Sequence, residues 1–474
     1  MVLIMENVLE LELSLQQIIS SDQAYHYKII PKKSSDTEIS FYSSTLENGL
    51  KDELEMVFGK EIFLEEVEEE VILKSLSKYY RKSATKSKET LTYDDDKDFL
   101  RKLINEAHDL GSSDIHIEPY AENCRVRIRI DGKLVERYQI SLDDFRPIVN
   151  RIKIMSHLDI AEKRLPQDGR IEFEFGNNKF DIRVSVLPTL FGEKIVLRLL
   201  SRDSSKIDLL NLGFEKEELE LFTESIKKPN GVILISGPTG SGKTTTLYAT
   251  LKLLNEESRN ILTIEDPIEY TIDGVNQVQL KESIGLDFAA AMRTFLRQDP
   301  DVIMLGEIRD VETAQMAIRA ALTGHLVFST IHTNSAIGTI TRLIDMGVPP
   351  FLIASTFNLS AAQRLIRKLC KSCKCKEKNN PDMWPKSFSP KRKIESHFVS
   401  QGCEDCYFTG YKGRVAIYEL VPIDAEISDI LKKDVNQIND VLGTKGFKSL
   451  SDRAFELIEN GETSVEEVYS ILMN

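Results

Sequence analysis

Residues 231–250 read GVILISGPTGSGKTTTLYAT, and no other stretch restricts the possible folds of the chain so tightly. Val232, Ile233, Leu234 and Ile235 are β-formers suited to a strand buried on both faces. Gly237-Pro238-Thr239-Gly240-Ser241-Gly242-Lys243-Thr244 follows, the helix-compatible run TTTLYATLKLL begins at Thr244, and Thr245 joins the loop residues as a candidate nucleotide-binding residue. Glycines at these places let the backbone adopt positive φ and turn its N–H groups inward, as a concave anion nest at a helix N-terminus. Lys243 then reaches the β- and γ-phosphates of a nucleotide, and the Thr244 hydroxyl ligates Mg²⁺. An ordinary glycine-rich turn is the plain alternative, weakened by the strand before it and the helix after it.

A length of 474 residues suggests about three domains, each able to bury a core. Hydrophobic content of 41% and charged content of 29% describe a soluble globular protein. A formal net charge of −14 argues against binding nucleic acid along a broad surface, which requires Lys and Arg clusters that displace counterions. Glu6, Glu10 and Glu12 interrupt the N-terminal apolar run where a signal peptide needs a basic start, and no run approaches the roughly 20 apolar residues that span a bilayer. These features predict a cytoplasmic protein whose membrane association comes through partners.

Residues 1–82 mix alternating runs such as EISFYSS with helix-like LENGLKDELEMVFG and EEVILKSLSKYY, a small α+β module. Its acidic run Glu65 to Glu70 reads as a solvated helix face. Residues 83–96 are polar and linker-like. Residues 97–203 predict an α+β unit with an antiparallel sheet: SDIHIEP, a hairpin turning at Asp131-Gly132, a helix, then three more strands. A second linker at 204–212 leads to 213–474, where strands and helices alternate as in a parallel sheet covered by helices.

Three stretches around the phosphate loop point to hydrolysis. The apolar run from Asp301 ends in Gly306-Glu307, where a second acidic strand tip organises Mg²⁺ and the attacking water. Pro267 should end the strand LTIED and present Glu265 and Asp266 at the same sheet edge. His325 and His332 flank a buried strand, from which they could donate to the γ-phosphate or sense its loss. A strand-end charge for Glu307, a turn cap for Asp266 and structural roles for both histidines are the plain alternatives.

Cys370-x2-Cys373 and Cys403-x2-Cys406 are two knuckles able to complete a closed tetrahedral Zn²⁺ site. Such zinc would staple a segment, 370–406, that has little core of its own. Cys375 is a spare that could replace a ligand, and Cys124 reads as a core residue.

GPTGSGKTTT, TIEDPIEY, RQDPDVIMLGEIRD and TGHLVFSTIHTNSA, in that order, closely resemble the secretion ATPases of type II secretion and type IV pilus assembly, the GspE/PilB-like group. The resemblance extends over SSDIHIEP, LPQDGR, DIRVSVLPTLFGEKIVLRLL and GRVAIYEL, strongly across 97–474 and loosely across 1–82. It implies an α/β fold: a RecA-like P-loop ATPase domain with a helical C-terminal tail, a PAS-like α+β domain before it, and a small N-terminal domain that docks to the membrane complex. It implies ATP hydrolysis by a homo-hexamer peripheral to the inner membrane, working on platform and docking proteins, with no nucleic acid expected. Among site residues it implies an aspartate box at Glu265 and Asp266, a catalytic acidic residue at Glu307, a histidine box at His325 and His332, and phosphate-reaching arginines at Arg183 and Arg198. From the residues alone those arginines could equally pair with surface carboxylates. The cysteine knuckles resemble the secretion and pilus-extension branches more than the retraction motors. A RecA-like nucleic-acid translocase and a nucleotide-binding scaffold without turnover are the competing classes.

Overall fold

The computed structural model describes residues 21–80 apart from 36 and 47, 89–90, 99–201 apart from 176 and 177, and 208–473 apart from 381–382, 386, 389–391, 393 and 434–436, with five positions before residue 21. The stretch 83–96, expected as a linker, lies outside the described residues except for Glu89–Thr90. Among the described residues no helix is long and apolar enough to cross a membrane.

Strands Ile29–Ser34, Glu38–Ser43 and Glu61–Glu66 form a small sheet, the first pair antiparallel and the second parallel. Helices Asn48–Phe58 and Glu69–Tyr79 cover it, and Ile30, Phe41, Leu54, Ile62 and Ile72 are fully buried in its core. The acidic run is not one helix face, as expected, because it straddles the end of strand Glu61–Glu66 and the first turn of Glu69–Tyr79. Lys32 pairs with Glu65 there, and Lys28 with Glu69.

The second unit is a seven-stranded sheet. Strand Cys124–Ile130 shows why: Cys124, Val126 and Ile128 alternate inward while Arg125, Arg127 and Arg129 point to the other face. Asp131 and Gly132 turn the hairpin into Lys133–Ile140 with φ of 47° and 85°, the left-handed pair that a two-residue hairpin turn requires. Helix Leu142–Met155 begins at Ser141, whose Oγ accepts from Asp144 N at 3.1 Å. Strands Gln167–Phe175, Asn178–Thr189 and Gly192–Ser201 complete an antiparallel meander that joins Asp114–Pro119.

In the third unit, strands Asn276–Gln279, Ile261–Glu265, Val302–Leu305, Leu326–Ile331, Gly231–Ser236 and Phe357–Leu369 lie side by side in that order, all parallel. Val232 and Leu234 enter one core and Ile233 and Ile235 the other, on opposite faces of the sheet. Each such side chain contributes about 1.5–3 kcal/mol by leaving water. The alternation of sequence did not foretell Tyr411–Pro422, which closes the edge antiparallel to Phe357–Leu369. Residues 208–212, the described part of the expected 204–212 linker, carry a short turn of helix at Leu209–Asn211 whose Leu209 is buried in the core that contains Leu247 and Leu251.

Second and third units touch at the phosphate-loop rim and along the hairpin, where Lys133 lies over Tyr411 and Arg137 over Tyr407. Arg183 donates to Ile268 O at 2.7 Å. At the hairpin tip, Asp131 Oδ2 accepts from Gly413 N at 2.7 Å and its other oxygen lies 3.4 Å from Arg414.

The charged face of the second sheet depends on Glu118, which is buried. Burial alone would raise its carboxyl, but hydrogen bonds from Arg127 and Lys194 bring it down to about 2. Because the folded value lies below the unfolded one of about 4.3, this contribution, about 3 kcal/mol, is complete above that pH and is lost as pH falls toward 2. Glu118→Gln is expected to lower the melting temperature near neutral pH and to lower it progressively less as pH drops from about 4.5. Parallel melting profiles for the two proteins would contradict the assignment.

Candidate active site

Strand Gly231–Ser236 delivers the chain into the loop 237–242, and helix Lys243–Leu254 leaves it. Gly237 has φ of 150°, and a Cβ there would stand 2.5 Å from Gln363 O and 2.6 Å from Ser241 Oγ, so only glycine lets the loop pass beneath strand Phe357–Leu369. The helix has no side-chain cap and no acidic residue in its first turn, leaving its leading N–H groups to an anion. Ser241 Oγ is buried with no partner among the described residues, an atom that a phosphate oxygen would satisfy.

Lys243 is buried, and its Nζ donates to Gly237 O at 2.8 Å and Pro238 O at 3.1 Å, inside the curve of the loop. Burial pushes its ammonium down, while the Glu307 carboxylate nearby pulls it back up. Thr244 is exposed and Thr245 half-buried on the first helical turn, and Pro238, Thr239 and Gly240 form the exposed lip.

Strand Val302–Leu305, one strand removed from Gly231–Ser236, ends at the same edge of the sheet and is followed by Glu307, 16% exposed. Gly306 N donates to Ile264 O at 2.8 Å, and a Cβ at 306 would stand 3.3 Å from that oxygen, a tight fit for any larger residue. Glu307 pairs with Arg309 and lies 3.3 Å from His332 Nε2. Arg309 also sits 3.9 Å from Asp266, at the half-exposed rim. Lys243, Glu307, His332 and, through Arg309, Asp266 therefore form one cluster.

Two expectations are corrected. Glu265 ends its strand, but its buried carboxylate is taken up by hydrogen bonds from Tyr248, from Thr263 Oγ1 at 2.6 Å and from Gln277 Nε2 at 3.1 Å. Burial raises its pKa, and the bond from Tyr248 ties helix Lys243–Leu254 to the aspartate-box strand. His325 lies at the wrong end of the sheet. Its backbone oxygen accepts from Gly231 N at 3.1 Å, where the loop-bearing strand begins, and the phosphate loop is six residues along that parallel pair, about 20 Å away. Its ring meets Ala320 O and Thr323 Oγ1 instead.

Arg183 arrives at the rim by its bond to Ile268 O, two residues past Asp266. Arg198 is held by Asp114 at 2.9 Å and touches no residue of the phosphate loop. Two further residues border the loop. Arg309 follows Glu307 by two positions and was findable from that spacing. Arg364 donates to Asn334 O at 2.8 Å, and its Nη1 lies 3.3 Å from the Cβ position of Gly237. No local signal marks it, because FNLSAAQRLIRKL does not read as a strand.

Away from the loop, the sulfurs of Cys370, Cys373, Cys403 and Cys406 all lie within 4.8 Å of one another, with Cys370–Cys403, Cys373–Cys406 and Cys403–Cys406 at 3.8 Å. That is the edge of a tetrahedron with bonds of about 2.3 Å, the Zn–S length. Gly402 N and Gly410 N donate to Cys373 and Cys406 sulfurs, as thiolates require. Cys375 stands outside the cluster.

Residues 95–470 match the family model of type II/IV secretion system proteins. The chain is 47% identical over 377 residues to the type IV pilus assembly ATPase PilB of Myxococcus xanthus, covering 77% of this chain and 67% of that one, so it spans about two thirds of that relative. It is 44% identical over 375 residues to the type II secretion system protein E of Pseudomonas aeruginosa, covering 78% and 74%. The solved structure of the pilus retraction motor PilT with bound ADP aligns with a TM-score of 0.53 at 27% identity, covering 78% of this chain and 95% of that one.

Lys243→Ala should weaken nucleoside triphosphate binding by at least about a hundredfold, the order expected when a buried ammonium that meets phosphate is removed. Titration with a fluorescent nucleotide reads it, and an unchanged Kd would contradict the loop's assignment.

Proposed function

The chain belongs to the type II/IV secretion system protein family, and we propose that it is the ATP-hydrolysing motor subunit of a secretion or pilus-assembly machine. The observation that carries this reading is Glu307, a carboxylate on the strand tip beside the phosphate loop, close enough to Lys243 to act on its charge and fixed by Arg309 and His332.

The residues divide the work as follows. Inward N–H groups of 237–243, Ser241 and Lys243 bind the β- and γ-phosphates. Thr244 is the side chain that would hold Mg²⁺, which when bound spreads the charge of the phosphate oxygens. Glu307 orients the attacking water and accepts its proton, with His332 keeping the carboxylate turned toward the loop. Arg183, already at the rim, supplies a guanidinium as the two domains close, and Arg198 joins when it leaves Asp114. Glu265 helps by holding the helix that carries Lys243, not by touching the reacting atoms.

Subunits assemble as a homo-hexameric ring on the cytoplasmic face of the inner membrane, where the N-terminal module docks to platform and docking proteins. Zn²⁺ held by Cys370, Cys373, Cys403 and Cys406 staples the excursion between strands Phe357–Leu369 and Tyr411–Pro422.

Glu307→Gln is expected to keep ATP binding within a few-fold while turnover falls by about 10² or more, the usual worth of a positioned base. Phosphate release near the parent rate would remove Glu307 from that role. The purified chain should carry one zinc by elemental analysis, and Cys403→Ser should lose it together with several degrees of melting temperature. Full zinc content in that variant would exclude the four-thiolate site.

A further inference from the structure

Strand register in the second domain sets three arginines in a row. Arg170 stands directly opposite Arg183, and Arg183 directly opposite Arg198, across two antiparallel pairs. Directly opposed residues share a face, with Cα atoms about 4.5–5.5 Å apart. The row ends at Asp114, opposite Arg198. Like charges set opposite one another repel, and they persist where something else offsets them.

The carboxylates of this face offset only part of the charge. Asp114 holds Arg198 at 2.9 Å and also meets Arg129 at 3.3 Å. Asp181, two residues before Arg183, holds Arg170. The central Arg183 pairs with no carboxylate among the described residues and gives its hydrogen bond to the Ile268 carbonyl of the ATPase domain. A polyanion fits that vacancy of charge, and the phosphate loop lies on the domain to which Arg183 already reaches.

We propose that Arg170 is a third guanidinium of the phosphate site, contacting the triphosphate when the domains close. This rests on the ATP-hydrolysing reading above. Arg170 flanks Arg183 across one strand pair, about 5 Å away between Cα atoms, so a triphosphate that Arg183 meets lies within reach of its long side chain. Its side chain is 59% exposed, and Asp181 holds it beside Arg183 in the manner that Asp114 holds Arg198. An arginine suits the place because its planar fork donates to two phosphate oxygens at once.

The test compares Arg170→Ala, Arg170→Lys and Asp181→Asn in the full chain, reading kcat and KM for Mg-ATP together with melting temperature. Arg170→Ala should lose at least about tenfold in kcat with little change in melting, part of a finger's usual worth, and added guanidinium should restore some of it. Arg170→Lys should fall between the two. Asp181→Asn, which frees the guanidinium without removing it, should stay within about threefold of the parent. An unchanged kcat in Arg170→Ala while Arg183→Ala loses turnover would overturn the proposal and leave the enzyme reading intact. So would Asp181→Asn reproducing the loss of Arg170→Ala, since the pair would then be a structural tie. If the parent itself releases no phosphate, the wider reading falls and takes this one with it.

Discussion

A helix that begins where a glycine loop passes under a neighbouring strand, with its first N–H groups unclaimed, is the constraint on which the rest of the molecule depends. The close approach of Gly237 to Gln363 and Ser241 fixes the loop's curvature. Lys243 can then lie inside the curve despite its burial, because loop carbonyls receive its protons and Glu307 offsets its charge. Remove the strand Phe357–Leu369 and the loop has nothing to be threaded beneath. Glu307 is the carboxylate that pulls the buried ammonium back up against its burial.

The same strand ties the phosphate loop to distant parts of the fold. It pairs with Tyr411–Pro422, on which Glu419 is buried and accepts from the leading N–H groups of two helices, Ala336 N at 2.7 Å and Leu450 N at 3.2 Å. The start of Tyr411–Pro422 follows the cysteine knuckle and carries Gly413 and Arg414, which receive Asp131 of the second domain. The second domain thus meets the third next to the cysteine cluster and at Ile268 near the phosphate rim.

Much of this was legible in the residues. GPTGSGKT after an all-apolar strand dictated the loop and Asp131-Gly132 the hairpin, because each depends on chemistry within a few residues, and the paired spacing of Cys370, Cys373, Cys403 and Cys406 marked the cluster because a metal takes four thiolates as two knuckles. What escaped depends on partners far along the chain. Glu265 points inward because Tyr248, on the loop's own helix, and Gln277 claim its carboxylate. His325 is displaced by parallel register, which sends the two ends of one strand to opposite edges of the sheet. Phe357–Leu369 is a strand only because Gly231–Ser236 and Tyr411–Pro422 flank it, and so Arg364 beside the loop went unseen.

The central claim is that a triphosphate held by this loop is cleaved by the carboxylate beside it. The most direct measurement is release of inorganic phosphate from ATP by the purified, metal-replete chain, followed with and without Mg²⁺ at concentrations that permit self-assembly. The account predicts release that needs Mg²⁺ and rises with assembly. Tight ATP binding with no phosphate released in any assembled form would contradict it.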